Sequence, residues 1–161
     1  MVKVEQILRL LASSDVQFII IGGIAARIHY SAYQTEDIDF CYDRSSTNIE
    51  KLSQAFINIH PYLRGAPQGL PFQFDPPTIK AGLNFTLVTD LGDVDFLGEV
   101  GGVGSYHDAL KQSVEVELFG IMCRALTLDA LIASKKFAGR KKDEPVIIEL
   151  EAIKEMLASR K

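Results

Sequence analysis

The chain has 161 residues, enough for one domain with a real core. Its 47% hydrophobic and 24% charged residues exclude a disordered chain. A formal net charge of -4 excludes a nucleic-acid coat protein on bulk electrostatics, leaving only a local basic patch for such a role.

Val4, Ile7, Leu8, Leu10 and Leu11 recur at helical spacing, so residues 3–13 are predicted to form an amphipathic helix that ends at Ser13-Ser14-Asp15. "VQFIIIGG" (16–23) is a β-branched run closed by glycine and reads as a buried strand. "IAARIHYSA" (24–32) follows as a short helix, and "DIDFCYD" (37–43) as a second strand. "STNIEKLSQAFINI" (46–59) puts Ile49, Leu52, Phe56 and Ile59 on one helical face behind a Ser/Thr start signal. Residues 60–77 hold five of the six prolines and read as an irregular excursion with one short edge strand at Tyr62–Arg64. "LNFTLVTDLGDVDFLGEV" (83–100) reads as a hairpin turning at Asp90-Leu91-Gly92. Gly98–Ser105 is a glycine-rich loop, and residues 103–112 are a short helix or turn. Residues 113–127 form a second hairpin near Phe119-Gly120. Two helices close the chain: 127–139, capped by Thr127 and stopped by Gly139, and 143–161, with Asp143 as cap and Pro145 in the first turn.

The order predicts an α/β (α+β) fold, a mixed β-sheet flanked by helices with a largely antiparallel second half. It is not the regular alternation of a Rossmann fold, and neither GxGxxG nor GxxxxGK[ST] is present. Cys41 and Cys123 lie inside apolar runs and read as buried hydrophobes of a reducing compartment, with no spacing that suggests zinc. The first residues lack a signal peptide's apolar block, and no stretch approaches the about 18 apolar residues of a membrane span, so the expected location is the cytoplasm.

The informative feature is acidic. Asp37 and Asp39 alternate with Ile38 and Phe40, so the two acids share one strand face while the apolar pair enters the core. Close carboxylates repel, which raises one pKa or calls for a cation between them. Oxygen-only ligation suits a hard ion such as magnesium; the alternative is a strand end in water. Asp93 and Asp95 form another such pair. Asp93 abuts the turn and has a solvent-exposed explanation, whereas Asp95 lies between Val94 and Phe96, where an acid is harder to excuse. If the two strands are neighbours, Asp37, Asp39 and Asp95 make a three-carboxylate cluster able to hold two magnesium ions about 3.5–4 Å apart, as in-line phosphoryl chemistry uses. Gly22-Gly23 ends a strand and opens a helix, where bare backbone N–H groups can meet a phosphate; a tight turn needing positive φ explains the pair equally well.

Strand, Gly-Gly, short helix, T-x-D-I-D on the next strand and a later G-x-V-D together resemble the nucleotidyltransferase superfamily with the DNA polymerase β fold. The "GG-A---H" pattern (Gly22, Gly23, Ala25, His29) and "LIASKKFAGRKKD" resemble its minimal, abortive-infection-type (AbiEii-like) branch. The resemblance covers roughly residues 15–150. It implies a catalytic domain over 1–126 and a C-terminal helical segment over 127–161 packed on it. It also implies Gly22 and Gly23 at the triphosphate, and Asp37, Asp39 and Asp95 as metal-binding catalytic acids. Implied with them are two Mg2+ ions, and an NTP (ATP expected) that gives its NMP to a hydroxyl of a protein, a tRNA or a small molecule. A toxin–antitoxin or defence setting with a protein partner belongs to the same branch. One departure stands out: the branch often has arginine two residues before the threonine of its motif, and here that residue is Tyr33.

Lys135, Lys136, Arg140, Lys141 and Lys142 form the one basic cluster, either a solvated helix end complementing the dipole or a triphosphate or acceptor contact, with Lys135 at the family-like position. Thr35 is placed to hydrogen-bond locally and set up the acidic strand. His29 reads as a helix-packing histidine rather than a base, and His60 and His107 lie in loop contexts without a role. The expected activity is metal-dependent nucleotidyl transfer. The alternatives are a catalytically degenerate nucleotide-binding or regulatory partner of the same fold and a metal-dependent phosphohydrolase.

Overall fold

The alternating runs pair into one main sheet, whose strands lie between Phe18 and Leu126. The computed structural model describes residues 1–160; Lys161, the end of the last predicted helix, lies outside the described residues. In chain order the elements are α1 (Val4–Ser13), β1 (Phe18–Ile21), α2 (Gly22–Ile28), β2 (Asp37–Tyr42), α3 (Ser46–Phe56), β3 (Tyr62–Leu63), α4 (Pro76–Ala81), β4 (Asn84–Thr89), β5 (Gly92–Leu97), β6 (Glu99–Val100), β7 (Gly104–Ser105), α5 (Tyr106–Lys111), β8 (Ser113–Leu118), β9 (Ile121–Leu126), α6 (Leu128–Ala138), a 3₁₀ turn at Lys141–Asp143 and α7 (Glu144–Ala158). Seven strands form the main sheet in the order β3-β4-β5-β2-β1-β9-β8, and β6 and β7 form a small hairpin apart from it.

The centre of the sheet is mixed. β1 and β2 run antiparallel, while β2 with β5 and β1 with β9 run parallel. The flanking pairs, β3–β4, β4–β5 and β8–β9, are antiparallel. Ile38, Phe40, Val94 and Phe96 are fully buried on one face of β2 and β5. There Phe96 stacks on Phe40 at 5.4 Å and meets Phe56 of α3 edge-on at 5.2 Å. Aromatic pairs of this kind add to the area each ring buries. α1 closes the core with Ile7, Leu8 and Leu11. Asn48, buried in α3, anchors that helix to the strand entrance: its Oδ1 accepts Gln17 N–H at 2.7 Å, and its Nδ2 donates to Asp43 O at 2.7 Å and Gln17 O at 3.1 Å.

Several sequence expectations shift. The predicted first strand stops at Ile21 and α2 begins at Gly22, because Gly22 takes φ +67° and turns the chain at once. α2 ends at Ile28 instead of Ala32, and Tyr30 follows in the left-handed region at φ 75°. The proline-rich excursion contains a helix, α4, which the sequence reading leaves irregular. Asp75 caps it by accepting Thr78 N–H at 3.0 Å, and two prolines fill its first turn, where no N–H is needed. The edge strand is β3, which stops one residue before Arg64. The glycine-rich loop after β5 folds into the β6–β7 hairpin. Thr127 caps α6 through Ala130 N–H, and Gly139 ends it at φ 64°, both as expected. Asp143 stands at the start of α7 but makes no capping bond, because its carboxylate is turned inward to Arg140 and Lys135.

Candidate active site

The pleat decides which side chains meet. In the parallel β2–β5 register Asp37 lies opposite Asp93 and Asp39 opposite Asp95, so all four acids come to the face opposite the aromatic core. Asp37, Asp39 and Asp95 each offer a carboxylate oxygen, and these atoms all lie within 4.8 Å of one another. Three converging carboxylate oxygens on two rigid strands are a donor set for a hard divalent cation, and magnesium fits it. The cost of holding the acids together falls on Asp39. Burial, the Asp37 charge and a hydrogen bond with Asp95 push its carboxyl up to about 8, while the positive charge of Lys135 pulls the other way.

The glycine pair abuts the acids. A Cβ on Gly22 would fall onto Asp39 Oδ2 and lie 2.8 Å from its Cγ, and one on Gly23 would stand 2.8 Å from Thr35 Cβ. Gly22 takes a positive φ, which is the tight-turn reading of the pair, and the absent side chains let the backbone lie against Asp39 and Thr35. Thr35 Oγ donates to Asp37, 3.0 Å from Oδ1 and 3.2 Å from the backbone oxygen, which orients the first acid. The segment between α2 and β2 is tied to α7 by Glu149, which accepts from Ser31 Oγ and, at 3.1 Å, from Ala32 N–H. Tyr33, in this segment, is 38% exposed.

The basic cluster divides. Lys135 is buried, 3.8 Å from Asp143, and its charge reaches Asp39. Arg140 donates to Asp143 at 2.8 Å from the outside. Lys136, Lys141 and Lys142 are exposed, the solvated helix end. His29 donates to Leu126 O at 2.7 Å and ties α2 to the end of β9, a packing role. His60 pairs with Asp90, and His107 lies 3.8 Å from Asp43, both exposed.

Sequence reading missed Arg64. Its Nη2 donates to Asp95 Oδ1 at 2.7 Å and to Leu87 O at 2.9 Å, its Nε lies 3.3 Å from Asp93 Oδ2, and its Nη1 lies 4.0 Å from Asp37 Oδ2. Asp93 is thus not simply a solvated turn acid; it forms part of the wall that holds this guanidinium. The only signal in the sequence is an arginine ending an edge strand; what it reaches depends on a register that local pattern does not encode.

No protein-family model matches the chain, and no curated protein matches it by sequence. Solved structures do share its fold. One is a proposed nucleotidyltransferase from Thermotoga maritima, with TM-score 0.58 and 15% identity, covering 99% of this chain and 96% of that one. Another is the lincosamide antibiotic adenylyltransferase LnuA with lincomycin bound, with TM-score 0.61 and 15% identity, covering 93% of this chain and 95% of that one. The chain therefore has the fold of these proteins: a mixed sheet flanked by helices, spanning nearly the full length of each.

Proposed function

We propose that this protein is a metal-dependent nucleotidyltransferase that moves an NMP, with AMP as the expected group, from an NTP to a hydroxyl acceptor. The observation that carries the reading is the three-carboxylate convergence of Asp37, Asp39 and Asp95 beside the glycine turn. The shared fold supports it, since one of the neighbours is an adenylyltransferase. In the reaction the acceptor oxygen forms a bond to the α-phosphorus, the bridging bond to the β-phosphate breaks, and pyrophosphate leaves.

Asp37, Asp39 and Asp95 would hold magnesium, with two ions expected, and Thr35 steadies Asp37 by a hydrogen bond to its Oδ1. Bound magnesium supplies charge neutralisation for the triphosphate and acidifies a hydroxyl. The backbone at Gly22 and Gly23 is bare enough to approach phosphate oxygens. Asp95, 17% exposed, would help take the acceptor's proton. Lys135 contributes fixed positive charge on the Asp39 side, held in place by Asp143. Residues 1–126 form the catalytic portion in this reading, and the helices after it supply Lys135. The abortive-infection-type branch is the family assignment we favour, and with it a protein, tRNA or small-molecule acceptor in a toxin–antitoxin or defence setting.

The test is incubation with magnesium and labelled ATP, followed by mass spectrometry of protein and cell lysate. Wild type transfers label and releases pyrophosphate; Asp37→Asn and Asp39→Asn fold and lose at least about a hundredfold in rate, the scale of losing an electrostatic catalytic element. Asp37→Asn activity equal to wild type would overturn the assignment, and inorganic phosphate as the product would replace transfer by hydrolysis.

A further inference from the structure

Arg64 enters the acid cluster from outside it. It follows β3, at the edge of the sheet, and its backbone N–H donates to Thr86 O at 3.0 Å, which fixes its origin on β4. Its side chain then crosses β4 to reach the acids of β5 and β2. One guanidinium thus serves Asp37, Asp93 and Asp95, and the bond at 2.7 Å uses Asp95 Oδ1. Asp95 is also one of the three acids whose oxygens converge as a cation site. A guanidinium and a divalent ion cannot both keep full claim on this carboxylate face: each is a cation, and at this spacing they repel.

The pose of Arg64 is also incomplete. Its Nε is buried and meets Asp93 Oδ2 at 3.3 Å as an ion pair without an aligned hydrogen bond. A guanidinium fully committed to these acids would align this bond as well.

We infer that Arg64 is a resident counter-cation that competes with the divalent ion for Asp95 and is displaced from it when the ion enters. This rests on the reading of Asp37, Asp39 and Asp95 as the metal site. Its consequence is gating: the acids bind a bare ion poorly, and an ion arriving with a triphosphate, whose negative charge favours the exchange, binds well.

The experiment is calorimetric titration of nucleotide-free protein with Mg2+ for wild type, Arg64→Gln and Arg64→Lys. With the competitor removed, Arg64→Gln binds Mg2+ roughly tenfold tighter, as expected when the competent arrangement is otherwise about one-tenth populated. Arg64→Lys, which keeps the charge without the fork, falls between. Arginine side-chain NMR of the wild type is the second readout: the buried Arg64 Nε–H signal shifts with the same midpoint as the heat. Equal or weaker Mg2+ binding by Arg64→Gln, or an Arg64 signal unmoved at saturating Mg2+, overturns the inference while leaving the metal site standing. If neither wild type nor Arg64→Gln binds Mg2+, with or without a non-hydrolysable ATP analogue, the metal site itself fails and the inference falls with it. Should Arg64→Gln not fold, the wild-type signal decides.

Discussion

Asp39 bears the electrostatic cost of the site, and this has a measurable sign. Its carboxyl is raised from the ordinary 3.8 to about 8 by burial, by Asp37 and by its hydrogen bond with Asp95. Between those two values the folded protein holds a proton that the unfolded chain has released, so stability falls as pH rises from about 4 to about 8 and levels above that. Asp39→Asn removes this slope. In EDTA, urea unfolding above pH 8 finds the variant more stable than wild type by at least about 1 kcal/mol, and below pH 4 finds the two alike. Part of this residue-level chemistry was legible in the sequence, because a period of two puts Asp37 with Asp39 and Asp93 with Asp95 on one face of each strand; that Asp95 joins the first pair depends on β2 lying beside β5, which the sequence reading could only state as a condition. Arg64 was not legible: its acidic partners come from β2 and β5 and its carbonyl partner, Leu87, from β4, and a guanidinium's reach across them is a matter of register.

Among the elements, α3 shows how a single polar side chain fixes an assembly. Asn48 satisfies three backbone groups at the mouth of β1 and the end of β2, and it is itself buried. Asn48→Ala strands those groups away from water and is expected to lower unfolding free energy by about 2–4 kcal/mol. Urea denaturation checks this, and the transfer rate per folded molecule stays near wild type because the residue lies off the acid face. The strong helices and hairpins were readable from periodicity. α4 was not, because its prolines read as a breaker although they occupy the one turn where a helix tolerates them, and the Asp-Pro-Pro-Thr start carried a cap signal. The β6–β7 hairpin was hidden for a similar reason, since two-residue strands between glycines leave no alternation to detect.

At the scale of the molecule, the site draws on both halves of the chain, so ligand binding and global stability are linked. Mg2+ and a non-hydrolysable ATP analogue held at about 100 times the dissociation constant add about 2.7 kcal/mol. For a chain of this size that is a rise in Tm of roughly 5–10 °C. Differential scanning fluorimetry checks it: wild type shows the rise, and an Asp37→Asn, Asp95→Asn double variant shows none. Among the described residues no helix is long and apolar enough to cross a membrane. The sheet also joins two faces that do unrelated things. Phe40 against Phe96 sets β2 and β5 in step on the aromatic side, and Asp39 against Asp95 inherits that step on the other. A slip of one residue would turn Asp95 toward the aromatic layer and bring a hydrophobe into its place. Selection for function therefore acts on the aromatic layer at a distance: a genetic screen for inactive variants should return Phe40 and Phe96 beside the acids, the phenylalanine variants with less folded protein because truncating either ring costs about 3–5 kcal/mol, the acid variants with the protein still abundant.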